Sequence, residues 1–206
     1  KPLEDMLHDF ELALKKERLA EKDFAHYLQQ GSDNIPTFVS SNVLPMTNTQ
    51  KAEVSFSFQD VRLDTARLTG SLDLIDINEA ERTLQVTDYK TGHPATAWDK
   101  GDDHTKLKLH KYRQQLVFYK LLTEHSSTYG KYKAELGQLA FIEPTKAGES
   151  ILLSLALTSE DADRTKQLIE AVWKHIVALD LPDTSGYSPD LKGTLAFEQD
   201  LIDGLV

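Results

Sequence analysis

The fold is decided by the stretch Gly70-Ser-Leu-Asp-Leu-Ile-Asp-Ile-Asn-Glu-Ala-Glu-Arg-Thr-Leu-Gln-Val-Thr-Asp-Tyr-Lys-Thr-Gly92. Its apolar residues alternate with polar ones on both sides of a short polar segment, which predicts two strands joined by a turn. A four-residue loop at Glu79–Arg82 is a common hairpin length. The loop pairs Asn78 with Thr83, and the remaining pairs follow. They are Ile77 with Leu84, Ile75 with Val86, Asp73 with Asp88 and Ser71 with Lys90.

This register places four apolar residues on one face near the turn, with Asp73, Asp88 and Lys90 at the far end of the same face. A slip of one residue would move Asp73 and Asp88 to opposite faces. Opposed residues have Cβ atoms about 4.5–5.5 Å apart, and like charges so placed repel. A hard divalent cation such as Mg²⁺ accepts carboxylate oxygens and can also accept a phosphate oxygen. The register therefore predicts a shared cation at this end of the hairpin.

Lys90 follows Asp88 by two residues on the same strand face, about 6.6–6.8 Å further along the chain. There it can orient or activate a water and offset charge that grows on a phosphorane-like transition state. These groups suit hydrolysis of a phosphodiester. The spacing alone also fits a plainer interpretation, in which the two aspartates are solvated hairpin residues and Lys90 is their salt-bridge partner.

The rest of the chain predicts a mixed central β-sheet flanked by helices, an α/β fold in one domain of residues 1–206. We divide that domain into an N-terminal helix and loop (1–50), a catalytic core (51–157) and a C-terminal helix and tail (158–206). The predicted helices are Pro2 to about Gln30, ending at the Gly31 stop signal before Pro36; Thr105–Glu124; and Thr158 to just before Pro182. The predicted strands are Val54–Phe58, Ala66–Ile77, Leu84–Lys90, Gln138–Ile142 and Ile151–Leu157. An irregular, turn-rich tail is expected from Asp183.

The composition of the chain argues against several classes of function and excludes some kinds of site. The formal net charge of −10 argues against a free-standing, non-specific nucleic-acid binder, although Lys100–Arg113 holds five basic and two acidic residues. The absence of cysteine excludes disulfides, thiolate metal sites and cysteine nucleophiles. The apolar runs are too short to cross a bilayer and nothing at the start reads as a signal peptide, so we expect no membrane partner. The absence of cysteine fits a cytoplasmic location, which we expect for this chain. Because the chain starts at Lys1, we expect a fragment or processed form of a longer protein.

Three motifs in order carry a family resemblance: Gly70-Ser-Leu-Asp73, Val86-Thr-Asp-Tyr-Lys-Thr-Gly92 and Gln115-Leu-Val-Phe-Tyr119. Together they resemble the signature of the RecB-like branch of the PD-(D/E)XK nucleases over at least Glu53 to Leu122. That resemblance implies a restriction-endonuclease-like core. The later Phe141-Ile-Glu-Pro and the helix at Ile169–Asp183 are also similar to nuclease domains that end UvrD/Rep-type helicases.

The resemblance implies a role for each residue of the hairpin site. Asp73 and Asp88 would bind Mg²⁺ or Mn²⁺ together with the backbone carbonyl of Tyr89, and Lys90 would be the catalytic lysine. Relatives carry a further metal-binding histidine on an N-terminal helix, for which His8 is the candidate. His8 also fits a surface-helix role, since its flanking residues match the family poorly.

Three other residues have both a functional and a structural interpretation. Gln115 and Tyr119 lie four residues apart on one helix face, so both can point toward the site or the DNA strand. Alternatively, Tyr119 is a core aromatic and Gln115 a buried hydrogen-bonding residue. Glu53 is a weaker acidic candidate that also fits a charge at a strand edge.

The first functional hypothesis is a metal-dependent DNA nuclease, an exonuclease on DNA ends or single strands. It would be a module of a helicase–nuclease in DNA repair or recombination, with DNA and the helicase domains of the same or an associated chain as partners. The second is a catalytically inactive nuclease-like module that binds DNA or supports a helicase. A third, a metal-binding hydrolase of another phosphoester, is disfavoured because the chain has no glycine-rich phosphate loop and no HxH or HxxxH spacing.

Overall fold

Five helices and seven strands make up the chain in the computed structural model, which describes residues 1–206. The helices are α1 (Leu3–Lys16), α2 (Glu21–Ser41), α3 (Asp103–Glu124), α4 (Ser159–Ala178) and α5 (Leu191–Asp203). The strands are β1 (Gln50–Ser55), β2 (Val61–Leu63), β3 (Ala66–Leu68), β4 (Ser71–Asn78), β5 (Thr83–Lys90), β6 (Lys133–Phe141) and β7 (Ile151–Ala156). None of the helices combines the length and apolar character that crossing a bilayer requires.

Five strands form one sheet in the order β1-β4-β5-β6-β7, and β2 and β3 form a separate two-stranded ribbon. β1, β4 and β5 are antiparallel neighbours. β5 and β6 run in the same direction, because Lys133 donates to the carbonyl of Arg82 and, five residues later, Gln138 accepts from the Thr87 hydroxyl. The prediction of an α/β fold with a mixed central sheet flanked by helices is confirmed.

The contacts divide the chain into two compact units. Unit 1 comprises residues 1–46, 89–96 and 139–152, and unit 2 comprises residues 47–88, 97–138 and 153–206. Unit 2 holds most of the apolar core, and its largest fully buried side chains include Phe56, Leu72, Ile75, Leu84, Val86, Leu116, Leu121 and Leu122. The single-domain assignment of residues 1–206 stays a prediction.

In unit 1, the prediction of one helix from Pro2 to Gln30 is wrong, because the structure has two helices there. Arg18 has a left-handed backbone (φ 52°), which separates α1 from α2. α2 then continues through both Gly31 and Pro36, although the sequence predicts a stop at these residues. A Cβ at position 31 would overlap the Phe10 ring, so the glycine permits close approach of the two helices rather than ending one.

In unit 2, the prediction of a strand at Val54–Phe58 is wrong, because β1 covers Gln50–Ser55. The strand ends at Ser55, and the chain turns where the Gln59 N–H donates to the Phe56 carbonyl at 3.2 Å. Phe56 is fully buried, whereas Phe58 is 97% exposed. The alternating pattern therefore holds only as far as Phe56, because a turn hydrogen bond reverses the chain before Phe58 can reach the core.

Two neighbouring predictions also change. The strand predicted at Ala66–Ile77 is two strands, β3 and β4, which belong to different sheets. The strand predicted at Gln138–Ile142 starts earlier, at Lys133. β7, α3 and α4 lie within one or two residues of their predicted bounds, except that α4 ends at Ala178.

The tail is not irregular, as was predicted, but contains α5. The Asp190 side chain caps this helix by accepting from the Gly193 N–H at 2.8 Å, and Gly204 ends it in a left-handed conformation. Glu198 is buried and accepts from Gln114 of α3 at 2.9 Å, while its Oε1 lies 2.8 Å from His110 Nε2. These long-range polar contacts stabilise a helix that its short apolar pattern alone did not predict.

Gly137 of β6 sets how closely α3 packs on the sheet in unit 2. A Cβ at this position would lie 3.0 Å from Leu116 Cβ and 3.2 Å from Leu157 Cδ2, tighter than ordinary van der Waals contact. Leu116 is fully buried at this contact. Since Gln115 precedes Leu116, the glycine also determines the height of the polar face of α3 above the sheet.

We predict that Gly137→Val lowers the free energy of unfolding by about 1–3 kcal/mol, because the added methyl groups overpack the contact with Leu116. Urea unfolding followed by circular dichroism measures this change. Gly186→Val is the control, since a Cβ at position 186 would meet no heavy atom within 4 Å and the backbone there is not left-handed. We expect the control to stay within about 0.5 kcal/mol of the parent; equal effects of both variants would contradict the packing argument.

Candidate active site

The β4–β5 hairpin has the register predicted from the sequence. Ile75 pairs with Val86, Ile77 with Leu84, and Asn78 with Thr83. The Asn78 side chain accepts from the Glu81 N–H at 3.2 Å and stabilises the four-residue turn. Continued along both strands, this register places Asp73 opposite Asp88, on the face that carries Ile75 and Val86.

Asp88 is held by two donors from α3. Only 4% of the residue is exposed, and its Oδ1 accepts from Gln115 Nε2 at 2.8 Å and from the Tyr119 hydroxyl at 2.9 Å. Gln115 Nε2 and the Tyr119 oxygen are themselves 2.7 Å apart. Hydrogen bonds to an ionised acceptor are stronger than those between neutral groups, so the two donors hold the Asp88 side chain firmly against α3.

The pKa of the Tyr119 hydroxyl is raised by burial and by both aspartates. Burial is the largest cause that raises its pKa, and the negative charge of Asp88, the hydrogen bond to Asp88 and the charge of Asp73 raise it further. The hydrogen bond from Gln115 acts in the opposite direction. Tyr119 is therefore a neutral donor at physiological pH, and its hydroxyl lies within electrostatic reach of both carboxylates.

Tyr89 and Lys90 end β5. The Tyr89 ring is 39% exposed and meets Phe38 edge-on, with ring centroids 6.2 Å apart. The Lys90 carbonyl accepts from the Ile142 N–H at 3.0 Å, which fixes the backbone of this strand end. Because side chains alternate along a strand, Lys90 projects from the same face of β5 as Asp88, and Tyr89 from the opposite face.

Glu143 has no role predicted from the sequence, although it lies in the Phe141-Ile-Glu-Pro segment that carries part of the family resemblance. Its Oε1 accepts from the Gly92 N–H at 2.9 Å and from Gln30 Nε2 at 3.0 Å. Together with the Ile142–Lys90 bond, this contact holds the backbone on both sides of Thr91. Glu143 thus positions the chain that leaves the Asp-Tyr-Lys strand.

The two remaining candidates from the sequence, His8 and Glu53, are exposed. His8 is exposed on α1. Glu53 is exposed and has a left-handed backbone (φ 52°), between the pairs Ala52–Leu74 and Val54–Leu72. Its backbone therefore lies beside Asp73 in the sheet, but the positive φ interrupts the strand alternation there.

Comparison with known families decides the identity of the fold. The family model of the PD-(D/E)XK nuclease superfamily matches residues 5–187, which is most of the chain. The chain belongs to the PD-(D/E)XK nuclease superfamily. Members of this superfamily are typically nucleases and generally use divalent metal ions such as Mg²⁺. The superfamily part of the predicted resemblance is confirmed, while the RecB-like branch and the helicase context stay predictions.

Comparisons with individual proteins support no further conclusion about this chain. Among solved structures, the crystal structure of SSO0001 is similar at 15% sequence identity and a TM-score of 0.38, covering 84% of this chain and 87% of that chain. A likeness of that size carries no argument about function. No curated protein matches the chain.

The fit of a divalent ion to this PD-(D/E)XK chain depends on its two facing carboxylates. No group of three or more His, Asp or Glu side chains is arranged to hold a metal ion. A Mg²⁺ site, however, commonly uses only one or two carboxylates, with waters and substrate phosphates completing its coordination. Continued one pair beyond Leu74–Thr87, the register places the carboxylates of Asp73 and Asp88 on facing positions of adjacent strands. In addition to burial, both carboxylates raise the pKa of the Tyr119 hydroxyl. The residues present fit such an ion.

We predict that Tyr119→Phe destabilises the protein by about 1.5–3 kcal/mol at pH 7, because Asp88 loses a donor to its charged oxygen. The difference should shrink above pH 10 by about 1.4 kcal/mol per pH unit. The reason is that Tyr119 ionises at its ordinary pKa in the unfolded chain, whereas its raised pKa keeps it neutral in the folded protein.

Urea unfolding of both proteins at pH 7, 9 and 11 measures this difference. Tyr27→Phe is the matched control, since Tyr27 is an exposed tyrosine on α2. We expect the control to change stability by less than about 0.5 kcal/mol at every pH. A Tyr119→Phe effect that does not change between pH 9 and 11 would show that the raised pKa is wrong.

Proposed function

We propose that this protein is a divalent-metal-dependent deoxyribonuclease that hydrolyses phosphodiester bonds in single-stranded DNA or at DNA ends. The observation that carries the proposal is the register of the β4–β5 hairpin, which places Asp73 opposite Asp88 when it is continued beyond Leu74–Thr87. Gln115 and Tyr119 hold Asp88 at this position. Membership of a nuclease superfamily supports it. We further propose that the protein acts in the cytoplasm as a module of a helicase–nuclease in DNA repair or recombination, with the helicase domains as its partners.

Asp73 and Asp88, with the backbone carbonyl of Tyr89, would hold Mg²⁺ or Mn²⁺. When bound, such an ion supplies Lewis acidity toward a phosphate oxygen and makes a coordinated water more acidic. Gln115 and Tyr119 occupy Oδ1 of Asp88 and so orient this carboxylate. A carboxylate that cannot rotate presents its oxygens without the entropic cost of ordering them during the reaction.

Lys90 has the remaining role. Hydrolysis forms a P–O bond to the water oxygen, breaks one ester P–O bond, and transfers a proton from the water to the leaving ester oxygen, which becomes a hydroxyl group. The Lys90 ammonium projects from the same strand face as Asp88, where it orients the attacking water and offsets negative charge that develops on the phosphoryl oxygens. The hydrogen bond from the Ile142 N–H fixes the backbone of Lys90 and so limits the positions that the ammonium can reach.

The alternative function is a catalytically inactive nuclease-like module that binds DNA or supports a helicase. The exposure of His8 on α1 favours it, because this residue is the candidate for a further metal ligand. Titration calorimetry separates the two functions. Binding of Mn²⁺ that is lost in Asp73→Asn supports the nuclease, whereas retained DNA affinity without binding of any divalent ion supports the inactive module.

We predict that Asp88→Asn and Lys90→Ala each lower the rate of single-stranded DNA cleavage at least about 100-fold, and that EDTA abolishes cleavage. A 5′-labelled oligonucleotide resolved on a denaturing gel, with Mg²⁺ or Mn²⁺ present, measures the rate. Loss of activity is expected because these variants remove an oxygen ligand or the cation beside the phosphate.

Asp76→Asn is the matched control for these variants. Asp76 lies on β4 three residues after Asp73 and points to the other face, where it accepts from Thr49 at 2.6 Å and Gln50 at 3.2 Å. We expect it to cleave within about threefold of the parent, since substitutions away from a site have small effects. A folded, metal-loaded parent protein that cleaves no DNA would rule out the proposed activity.

A further inference from the structure

A groove lies in unit 2 between the β2–β3 ribbon, α3 and α4, with a volume of about 570 Å³. We call it the α3–α4 groove. Its lining includes Arg67, Lys111, Gln115, Phe118, Trp173 and Ile176. The mechanism above uses only Gln115 from this set, so the rest of the groove has no assigned role.

The charge of the α3–α4 groove is opposite to that of the chain. The chain has 33 acidic and 23 basic residues, yet the charged side chains that line the groove are Arg67 and Lys111, with no aspartate or glutamate among the lining residues. Arg67 donates to the Ser57 carbonyl at 3.3 Å and lies 3.9 Å from Asp60, while 58% of its side chain stays exposed. A basic groove on an acidic protein concentrates an anionic ligand there.

The groove is continuous with the candidate active site through Gln115. This side chain lines the groove and also donates to Asp88 Oδ1 at 2.8 Å. Lys111 lies one helical turn before Gln115 on the same face of α3, about 6 Å along the helix. An anionic chain that contacts Lys111 would therefore continue toward Asp88.

The walls of the groove are apolar and aromatic. Trp173 donates through Nε1 to the Thr65 hydroxyl at 3.0 Å, which fixes the indole between α4 and the ribbon. Phe118 supplies a second ring, and Val172 and Ile176 are 40% and 47% exposed. Exposed apolar side chains grouped in one place mark interaction sites. Aromatic rings beside cations are the combination that binds single-stranded nucleic acid, because bases stack on the rings while phosphates contact the cations.

We propose that the α3–α4 groove binds the single-stranded segment of DNA next to the phosphate that is cleaved. Bases would lie against Trp173 and Phe118, and phosphates would contact Lys111 and Arg67. The proposal rests on the proposed nuclease function, whose substrate it narrows to a strand with unpaired bases. A duplex does not fit this mode, since the faces of its bases are stacked on each other and closed to the rings.

Binding without cleavage tests the groove separately from catalysis. A fluorescein-labelled thymidine oligonucleotide of about 16 nucleotides, in EDTA, is titrated with the full chain, and anisotropy reports the dissociation constant. We expect Lys111→Glu and Arg67→Glu each to weaken binding at least about fivefold and to reduce the dependence of the dissociation constant on salt. A duplex of equal length should bind more weakly than the single strand.

Lys133→Glu is the matched control for the charge reversals. Lys133 is an exposed lysine at the start of β6, where its N–H donates to Arg82 at the turn end of the hairpin. The control makes the same change in net charge far along the strands from Asp73 and Asp88, so we expect its affinity to stay within about twofold of the parent. Equal weakening by Lys133→Glu, Lys111→Glu and Arg67→Glu would assign the effect to net charge and overturn the proposal.

Tryptophan fluorescence tests the stacking directly. The chain has two tryptophans, so Trp98→Phe leaves Trp173 as the single reporter. We expect the oligonucleotide to quench this variant, whereas Trp173→Phe, which keeps Trp98, should show no quenching. Quenching of Trp98 alone would overturn the proposal. A concentration-dependent dimer that Ile176→Glu disperses, with DNA affinity unchanged, would instead assign the groove to a second copy of the chain.

The outcomes also separate this proposal from the nuclease function. If the groove variants weaken binding but the parent cleaves nothing with metal, the groove proposal stands and the nuclease proposal fails. If the parent cleaves single-stranded DNA and the groove variants bind and cleave as well as it does, the nuclease proposal stands and the groove proposal fails.

Discussion

Two carboxylates that face each other across an antiparallel strand pair are the constraint on which the rest of this structure depends. Asp73 and Asp88 can share a face only if the hairpin keeps one register, because the side chains of a strand alternate with a period of two. The buried pairs Ile75–Val86 and Ile77–Leu84 hold that register, since a slip would expose them to water. The apolar half of the hairpin thus stabilises an electrostatically unfavourable arrangement at its other end.

Helix α3 packs on the sheet and supplies the two side chains that hold Asp88. Its buried leucines pack against β6, where Gly137 permits a close approach, and this packing brings Gln115 and Tyr119 onto Asp88. The two interpretations of these residues, structural and functional, are therefore not exclusive. Tyr119 is 93% buried in the core and still donates its hydroxyl to the carboxylate. A side chain with an apolar ring and a polar tip can serve both purposes.

The distribution of charge is compatible with the DNA substrate that we propose for this acidic chain. The formal charge of −10 is the main argument against a nuclease, and it holds for the surface as a whole. The α3–α4 groove is an exception, since Arg67 and Lys111 line it without acidic neighbours in the lining. Lys111 belongs to the basic stretch noted in the sequence, but Arg67 and Trp173 are distant in the chain and only folding brings them beside it.

The sequence by itself determined the hairpin, its register, the α/β class and the helix α3, because each follows from local periodicity and turn chemistry. The predictions for Gly31 and for the tail that contains α5 were wrong because both depend on residues far along the chain, Phe10 and His110. The prediction for Phe58 was wrong because of a local turn, in which the Gln59 N–H donates to the Phe56 carbonyl. Only the tertiary structure decided that Gln115 and Tyr119 bind Asp88, that Glu143 accepts from the Gly92 N–H, and that Gln115 also lines a groove with Arg67 and Lys111. The physical reason is that periodicity reports which face a residue occupies, whereas a hydrogen bond between distant elements depends on how those faces pack.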